Sequence, residues 1–269
     1  MMGHLPNVQV AAMKCVSNET YWSQDLLSEL LILSKLKPHP NLLLFYGVVT
    51  IENRLHFLIE HCERGTLDAL HDKEDLTAKD RFWKILGGVL KGLAAFHQTG
   101  LVHRDIACRN LLMKADGTVV LGDYGSSKKI MDNSNVYKLS DPDSMIPWAW
   151  CAPESLLQRE FSQKSDIWMF GVTVWEILTK GKRPQEALSY KELRDELRKG
   201  RMPLEIPEGP KVPLRAKALL NLCFKFNIKN PKQKKRKQNP VAEWNEHDIV
   251  NFIKTFSNDG NRMWAKCIK

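Results

Sequence analysis

Two short segments, Leu101–Asn110 (LVHRDIACRN) and Leu121–Gly125 (LGDYG), constrain this chain more than any other part of it. They place Asn110 five residues after Asp105, and Asp123 eighteen residues after Asp105. Divalent cations such as magnesium prefer oxygen ligands and bind one or two carboxylates together with substrate phosphates. Phosphoryl transfer needs such a cation and a carboxylate that orients the attacking hydroxyl. The pattern therefore predicts a phosphotransfer site.

The order and separation of the two segments resemble the signature of protein kinases, in which H-R-D-x-x-x-x-N is followed by D-x-G. A lone D-x-G would mean little, because Asp-x-Gly is common in turns. The resemblance extends over roughly Val8–Phe226. It implies an α+β fold with two lobes, a truncated small N-lobe sheet and a mostly helical C-lobe. It also implies ATP and Mg2+ as cofactors and proteins as substrates.

Composition agrees with a folded domain of this size. The chain has 269 residues and 43% hydrophobic residues, which is enough for a substantial core. No apolar run approaches the roughly 18 residues of a membrane span, and the N-terminus lacks a signal-peptide pattern. The six cysteines are scattered, which favours reduced thiols over disulfides or a zinc site. We therefore expect a cytoplasmic protein without a transmembrane segment.

The net charge of +9 is concentrated in one run. Residues 225–237 hold seven Lys and Arg residues and no acid, and removing these seven charges leaves +2. We therefore expect no nucleic-acid binding by the main domain. The KKRK stretch, Lys234–Lys237, is compatible with a nuclear address, with a contact to an anionic membrane, or with a solvated linker, which is the default interpretation.

The pattern divides the chain into four parts. Residues 1–62 are a partial kinase N-lobe with its hinge, and residues 63–230 are the C-lobe. Residues 231–240 form a basic linker. Residues 241–269 are a C-terminal tail that fits either a final kinase helix or the incomplete start of a SAM domain.

Hydrophobic periodicity and breaker residues predict the main elements. We expect strands over residues 7–16, 42–49 and 55–60, a helix over 18–36, and a buried helix that begins at an N-cap on Thr77. An almost entirely apolar stretch, Gln163–Thr179, predicts a helix at the centre of a lobe. An amphipathic helix follows it, and a last helix is predicted over Val212–Phe226.

The resemblance implies a nucleotide site made largely by the N-lobe. Lys14, held by Glu29, would position the α- and β-phosphates of ATP, and Ile59 would be the gatekeeper. The hinge around Glu60 and Cys62 would hydrogen-bond to adenine through its backbone. The full set assigned to nucleotide binding is Ala12, Lys14, Glu29, Ile59, Glu60, Cys62, Leu112 and Asp123.

The catalytic roles implied by the resemblance fall on the two opening segments. Asp105 would accept or orient the proton of the substrate hydroxyl, Arg109 would support the transferring phosphate, and Asn110 and Asp123 would bind magnesium. Serine/threonine kinases generally carry Lys two residues after the catalytic Asp, whereas this chain has Ala107 there and Arg109 two residues later. This arrangement is similar to that of tyrosine kinases.

Residues downstream strengthen that resemblance. Pro147 and Trp150 precede Ala-Pro-Glu, as in tyrosine kinases, and the surrounding segment looks most like the ACK group of cytoplasmic tyrosine kinases. Pro147 would be a platform for the substrate ring, because a tyrosine hydroxyl lies farther from the backbone than a serine hydroxyl.

Supporting residues also follow from the resemblance. Asp166, an acid within an apolar helix, needs a buried partner, and the family places it on the backbone of the HRD loop. Tyr137 would be phosphorylated, with Arg104 as its charge partner. The resemblance also implies a column of His103, Tyr124, Leu33 and Phe45 that joins the lobes. The family pairs the glutamate of Ala-Pro-Glu, here Glu154, with an arginine near Pro231, and this chain offers Lys234 or Arg236 there, outside the expected Arg-Pro context.

One part of the family pattern is not found. No G-x-G-x-x-G precedes Lys14, and Gly3 is the one glycine among residues 1–13. Two hypotheses follow: a truncated tyrosine kinase, or a kinase-like binding module that no longer turns over ATP. We expect weak or absent phosphotransfer from these 269 residues, and activity if a Gly-rich loop were restored upstream.

Overall fold

A computed structural model describes residues 11–15, 24–52, 54–130, 135–141, 143–201, 204–209, 212 and 215–224. The strands are β1 (Ala11–Cys15), β2 (Phe45–Ile51), β3 (Arg54–Glu60), β4 (Leu101–Val102), β5 (Leu111–Met113), β6 (Val119–Leu121), β7 (Lys128–Lys129), β8 (Tyr137–Lys138) and β9 (Glu160–Phe161). The helices are α1 (Gln24–Lys35), α2 (Leu67–Leu70), α3 (Lys79–His97), α4 (Pro153–Leu157), α5 (Gln163–Leu178), α6 (Tyr190–Arg198) and α7 (Ala216–Cys223), with one 3-10 turn at Cys108–Asn110.

The first part of the fold is a small antiparallel sheet. Its strand order is β1-β3-β2, so β3 pairs on both sides and β1 lies at an edge. The register places Ala12 opposite Ile59 and Lys14 opposite Phe57. Phe57 is fully buried and makes an edge-to-face contact with Phe45, at 5.8 Å between ring centroids. Lys14 is therefore held in a strand that is hydrogen-bonded to β3.

The second part is mostly helical and contains the main core. The helix α3 buries one face at helical spacing, and α5 is buried on nearly every side, as the sequence predicts. Strand β6 of the β5–β6 hairpin packs against α3. Gly92 of α3 allows the backbone at Asn41, which bonds to Leu121 of β6, to approach the helix closely, because a Cβ at Gly92 would lie 2.3 Å from the Asn41 carbonyl oxygen. The two-lobed α+β fold expected from the resemblance is confirmed. None of the described helices is both long enough and apolar enough to cross a membrane.

Three predicted elements had wrong boundaries. The second strand begins at Phe45, because the preceding residues form a bridge to β6 instead: the Leu43 amide donates to the Leu121 carbonyl, and the Leu121 amide donates to the Asn41 carbonyl. The helix α3 begins at Lys79, because the Thr77 hydroxyl donates to Asp75 and does not cap the helix. The last described helix, α7, ends at Cys223. The predicted N-terminal part of β1 and the tail 241–269 lie outside the described residues.

Candidate active site

Asp105 lies in the loop between β4 and β5, where other residues of the same loop hold it in place. Nδ2 of Asn110 donates to the carbonyl oxygen of Asp105 and to its carboxylate Oδ2, both at 2.8 Å. The guanidinium of Arg109 forms an ion pair with Oδ1, and the Asp105 amide donates to Nδ1 of His103 at 3.3 Å. The Asp105 side chain is 17% exposed. Its carboxylate is thus fixed in orientation and still reachable from solvent.

Asp166, fully buried in the first turn of α5, fixes the backbone at the start of this loop. Its carboxylate accepts hydrogen bonds from the backbone nitrogens of His103 and Arg104, at 2.8 and 2.9 Å. Its Oδ2 also lies 2.7 Å from Nε2 of His97. Arg104 has a φ of 72°, which a non-glycine residue adopts only where its surroundings hold it. The predicted contact of Asp166 with the loop backbone is confirmed.

Lys14 joins two acidic side chains from different elements. Its Nζ lies 2.8 Å from Glu29 Oε1 of α1 and 3.1 Å from Asp123 Oδ1. Burial alone would lower the pKa of Lys14, but the hydrogen bond to Glu29 and the charges of Asp123 and Glu29 raise it overall. Burial alone would raise the pKa of Asp123, and the charge of Lys14 reverses this and lowers it. Lys14 and Asp123 are therefore both charged near neutral pH.

Asp123 lies two residues after the end of β6, and its side chain faces outward. Its side chain is 49% exposed, and its φ of 54° is left-handed. The amide of Gly122 donates to the carbonyl oxygen of Asn110 at 3.0 Å, so the ends of the two hairpin strands are tied together. A Cβ at Gly122 would lie 2.9 Å from Leu112 Cδ1. The hydrogen bond between Gly122 and Asn110 thus keeps the backbone before Asp123 close to Asn110.

Two residues assigned to nucleotide binding lie in adjacent strands of the small sheet, and a third lies in the hairpin. Ala12 of β1 is opposite Ile59 of β3, and both are partly buried. Leu112 is paired with Val120 across the hairpin and forms a bridge to Thr66. Their contacts with adenine remain predictions.

The hinge residues are held by protein contacts that the sequence did not reveal. The amide of Glu60 donates to the Leu44 carbonyl at 2.9 Å, so this group is not available to a nucleotide. The Glu60 carboxylate forms an ion pair with Lys114 at 2.7 Å. Cys62 is buried, and burial raises the pKa of its thiol to about 11. The Cys62 carbonyl accepts from Gly65 at 3.0 Å, so the hinge turns sharply after it.

Tyr124, at the centre of the D-x-G motif, is 1% exposed and stacks on Phe96 with 5.4 Å between ring centroids. It also meets the ring of His103 at 5.8 Å. Its hydroxyl donates to the Leu121 carbonyl at 2.7 Å and accepts from the Leu43 amide at 3.1 Å. Burial raises the pKa of Tyr124, so the hydroxyl stays neutral. The hydroxyl oxygen of Tyr124 therefore has hydrogen-bond partners, although the ring lies in an aromatic, largely apolar environment.

Replacement of Tyr124 by phenylalanine should lower the free energy of unfolding only slightly, by about 0.5–1 kcal/mol. The ring would keep its stacking, and the Leu43 amide would keep a second acceptor, the Leu121 carbonyl at 2.9 Å. Urea unfolding followed by circular dichroism measures the difference, with Tyr190→Phe on α6 as the matched loss of a hydroxyl. A loss larger than about 3 kcal/mol would show that the hydroxyl is essential to the fold.

Arg104 lies between the loop and the segment that contains Tyr137. Its guanidinium is 4.9 Å from the centre of the Tyr137 ring and 4.5 Å from that of Phe161. It donates to the carbonyl of Ser126 at 3.1 Å, and burial lowers the pKa of Arg104. The two residues that the sequence paired are thus in contact, and phosphorylation of Tyr137 remains a prediction.

The sequence interpretation missed Glu176. This residue of α5 is 6% exposed, and its carboxylate lies beneath the catalytic loop. Asp166 was identified because an acid in an apolar helix needs a partner, and the same argument applies to Glu176. Glu154 is also partly buried, and burial raises its pKa. Its expected partners, Lys234 and Arg236, lie outside the described residues.

Comparison with known proteins agrees with this geometry. Residues 3–236 match the family described as protein tyrosine and serine/threonine kinase. The chain is 38% identical over 152 residues to "Activated Cdc42 kinase Ack" of Drosophila melanogaster, covering 56% of this chain and 14% of that protein. It is 34% identical over 225 residues to "Tyrosine-protein kinase sid-3" of Caenorhabditis elegans, covering 82% and 17%.

A receptor is also among the similar proteins. The chain is 29% identical over 221 residues to "Ephrin type-A receptor 1" of Mus musculus, covering 82% of this chain and 22% of the receptor. The chain thus spans 14–22% of the length of these three relatives. The family match over residues 3–236 contains the candidate site.

Proposed function

The chain belongs to the protein tyrosine and serine/threonine kinase family, and we propose that it transfers the γ-phosphate of ATP to tyrosine hydroxyls of protein substrates. The observation that carries this proposal is the convergence of three distant parts of the chain on one site. Lys14 bonds to Glu29 and Asp123, and the hairpin ties Asp123 to the loop of Asp105. A binding module has no physical need for this set of charges.

The donor atoms fit magnesium. Asn110 uses its Nδ2 for Asp105, which leaves its carbonyl Oδ1 for a cation. Asp123 offers a half-exposed carboxylate, and oxygen donors of this kind are those that magnesium prefers. When bound together with ATP, the cation would neutralise charge on the phosphates. Asn110 and Asp123 are its proposed ligands.

The side chains of the site have separate roles in binding ATP and in the transfer step. Lys14, positioned by Glu29, holds the α- and β-phosphates. Asp105 orients the tyrosine hydroxyl and accepts its proton, and its fixed carboxylate suits that task because geometry is the first requirement of a general base. Arg109 carries the positive charge that supports the transferring phosphate.

The choice of tyrosine over serine rests on the loop and the segment after it. Ala107 occupies the position at which serine/threonine kinases generally have lysine, and Arg109 supplies the cation instead. The guanidinium of Arg109 lies 4.5 Å from the centre of the Trp150 ring. The similarity to the relative named "Tyrosine-protein kinase sid-3" supports the same choice.

A second candidate is a kinase-like binding module that takes up nucleotide without turnover. In this candidate, Lys14 with Glu29 and Asp123 would hold the phosphates of a bound nucleotide, and Asp105 would not act as a base. A cytoplasmic location and a membrane contact through Lys234–Lys237 remain predictions from the sequence.

Replacement of Lys14 by methionine tests the proposed function. With magnesium and ATP, the wild-type chain should phosphorylate tyrosine in a random glutamate–tyrosine copolymer, slowly but above a reaction without magnesium. Lys14→Met should reduce kcat/KM by about 10²- to 10³-fold, because it removes a preorganised cation from the phosphates. Anti-phosphotyrosine detection measures the product.

Lys199→Met is the matched control, because Lys199 is exposed and pairs only locally with Glu196. It should retain the wild-type rate. Binding of the nucleotide by the wild type, with no tyrosine phosphorylation even after a Gly-rich loop is added upstream, would instead support the binding module.

A further inference from the structure

The helix α5 carries a second buried acid, ten residues after Asp166. Glu176 is 6% exposed, and its Oε2 accepts two hydrogen bonds from different segments. One comes from the backbone nitrogen of Cys108 in the catalytic loop, at 3.1 Å. The other comes from the indole nitrogen Nε1 of Trp150, also at 3.1 Å. A single oxygen atom therefore joins the catalytic loop to the segment that precedes α4.

The indole of Trp150 contacts both Glu176 and the catalytic residue Arg109. Its ring lies 4.5 Å from the guanidinium carbon of Arg109, a distance typical of a cation–π contact. The same guanidinium forms the ion pair with Asp105. A continuous chain of contacts thus runs from Glu176 through Trp150 and Arg109 to Asp105.

This series of contacts would restrict the position of the Arg109 side chain. An arginine side chain is long and has many rotamers, so an ion pair on a half-exposed surface does not keep it in one place. The Arg109 side chain is 37% exposed. A flat ring that is itself held by a buried acceptor removes part of that freedom, and catalysis depends steeply on such positioning.

We propose that Glu176 is a positioning residue for phosphotransfer: it fixes the Trp150 indole and the Cys108 backbone, and thereby holds Arg109 against Asp105. The proposal rests on the proposed function, since it gives Arg109 a catalytic task. It requires a hydrogen-bond acceptor at position 176 and an indole N–H at position 150.

Burial raises the pKa of Glu176, and the hydrogen bonds from Cys108 and Trp150 and the charge of Arg109 offset only part of that rise. A buried acid without such partners would be costly. The alternative is that Glu176 only stabilises the core, and the two roles predict different kinetics.

Three substitutions separate these roles. Glu176→Leu keeps the approximate volume and removes the acceptor, and Trp150→Phe keeps a ring and removes the donor. Each should lower kcat for tyrosine phosphorylation by about tenfold, while KM for ATP stays within about twofold, because Arg109 acts on the transferring group. Glu176→Gln should restore most of the rate, since its carboxamide oxygen can accept both hydrogen bonds.

The double variant Glu176→Leu with Trp150→Phe should be no slower than either single variant, because residues in one contact chain are not additive. Trp175→Phe is the matched control. Trp175 is also on α5, and its indole donates to the carbonyl of Glu205 at 2.7 Å, away from the loop. It should leave kcat unchanged. Additive losses in the double variant, or a rate that falls only with the folded fraction, would refute the positioning role.

A spectroscopic measurement keeps the test independent of activity. In the full chain, NMR should show the Arg109 side-chain protons shifted upfield by the Trp150 ring. The shift should disappear in Glu176→Leu and persist in Glu176→Gln and Trp175→Phe. If the wild type transfers no phosphate, the proposed function fails, and this measurement still decides whether Glu176 positions Arg109. An unchanged shift in Glu176→Leu would overturn the proposal.

Discussion

Asp105→Asn should reduce tyrosine phosphorylation by about 10²- to 10⁴-fold, the usual contribution of a general base. A carboxamide has nearly the same shape as the carboxylate but cannot accept the substrate proton. It also leaves Arg109 without its acidic partner, whereas Asn110 keeps an oxygen to which it can donate. Initial rates with the glutamate–tyrosine copolymer and magnesium-ATP measure the effect.

Binding of ATP should survive this change, because the contacts of Asp105 are with the loop and not with Lys14. Asp195→Asn is the matched control, since Asp195 is exposed on α6 and bonds only to Arg198 one turn away. It should have the wild-type rate. A folded Asp105→Asn variant that retains more than a tenth of the rate would exclude Asp105 as the base.

The largest effect on stability is expected at Asp166. Its replacement by alanine should lower the free energy of unfolding by about 3 kcal/mol or more, because the buried amides of His103 and Arg104 would each lose their acceptor. The contact with His97 would be lost as well. Since typical domains are stable by about 5–15 kcal/mol, this is a large fraction of the total.

Urea unfolding measures this loss directly. Asp195→Ala, which removes an exposed carboxylate from an i,i+3 pair, should change stability by no more than about 0.5 kcal/mol. Phosphotransfer should also fall in Asp166→Ala at temperatures at which the protein is folded, because Arg104 would be free to leave its left-handed conformation. A stability equal to that of the control would mean that the loop is held by other contacts.

Much of the catalytic loop could be predicted because its geometry is local. Asn110 is five residues from Asp105. A short hairpin separates Asn110 from Asp123, and it pairs Leu111 with Leu121. The spacing of residues and the hydrophobic periodicity contain this information. The same reasoning predicted the buried face of α3 and the central position of α5.

The failures came where a side chain or a backbone segment had a choice of partners. Thr77 has the chemistry of an N-cap, but Asp75 takes its hydroxyl, and the helix begins two residues later without a side-chain cap. Leu42 has the pattern of a strand residue, but it pairs with Leu121 in the other lobe. Residue propensities do not show whether a group will form its hydrogen bond with a partner nearby in the sequence or with a distant one.

The chemistry of the candidate site, with its acids, its carboxamide and its arginine, can thus be read from the residues alone, because each functional group is supplied within a short segment. The contacts that organise this chemistry arise only when distant elements pack. Lys14 meets Asp123 across 109 positions of the chain, and Glu176 meets Cys108 across 68. Packing explains the difference. The fold brings Lys14 of β1 beside Asp123, and the buried Glu176 accepts from Cys108 because buried polar groups need hydrogen-bond partners. No short segment contains both partners of either contact.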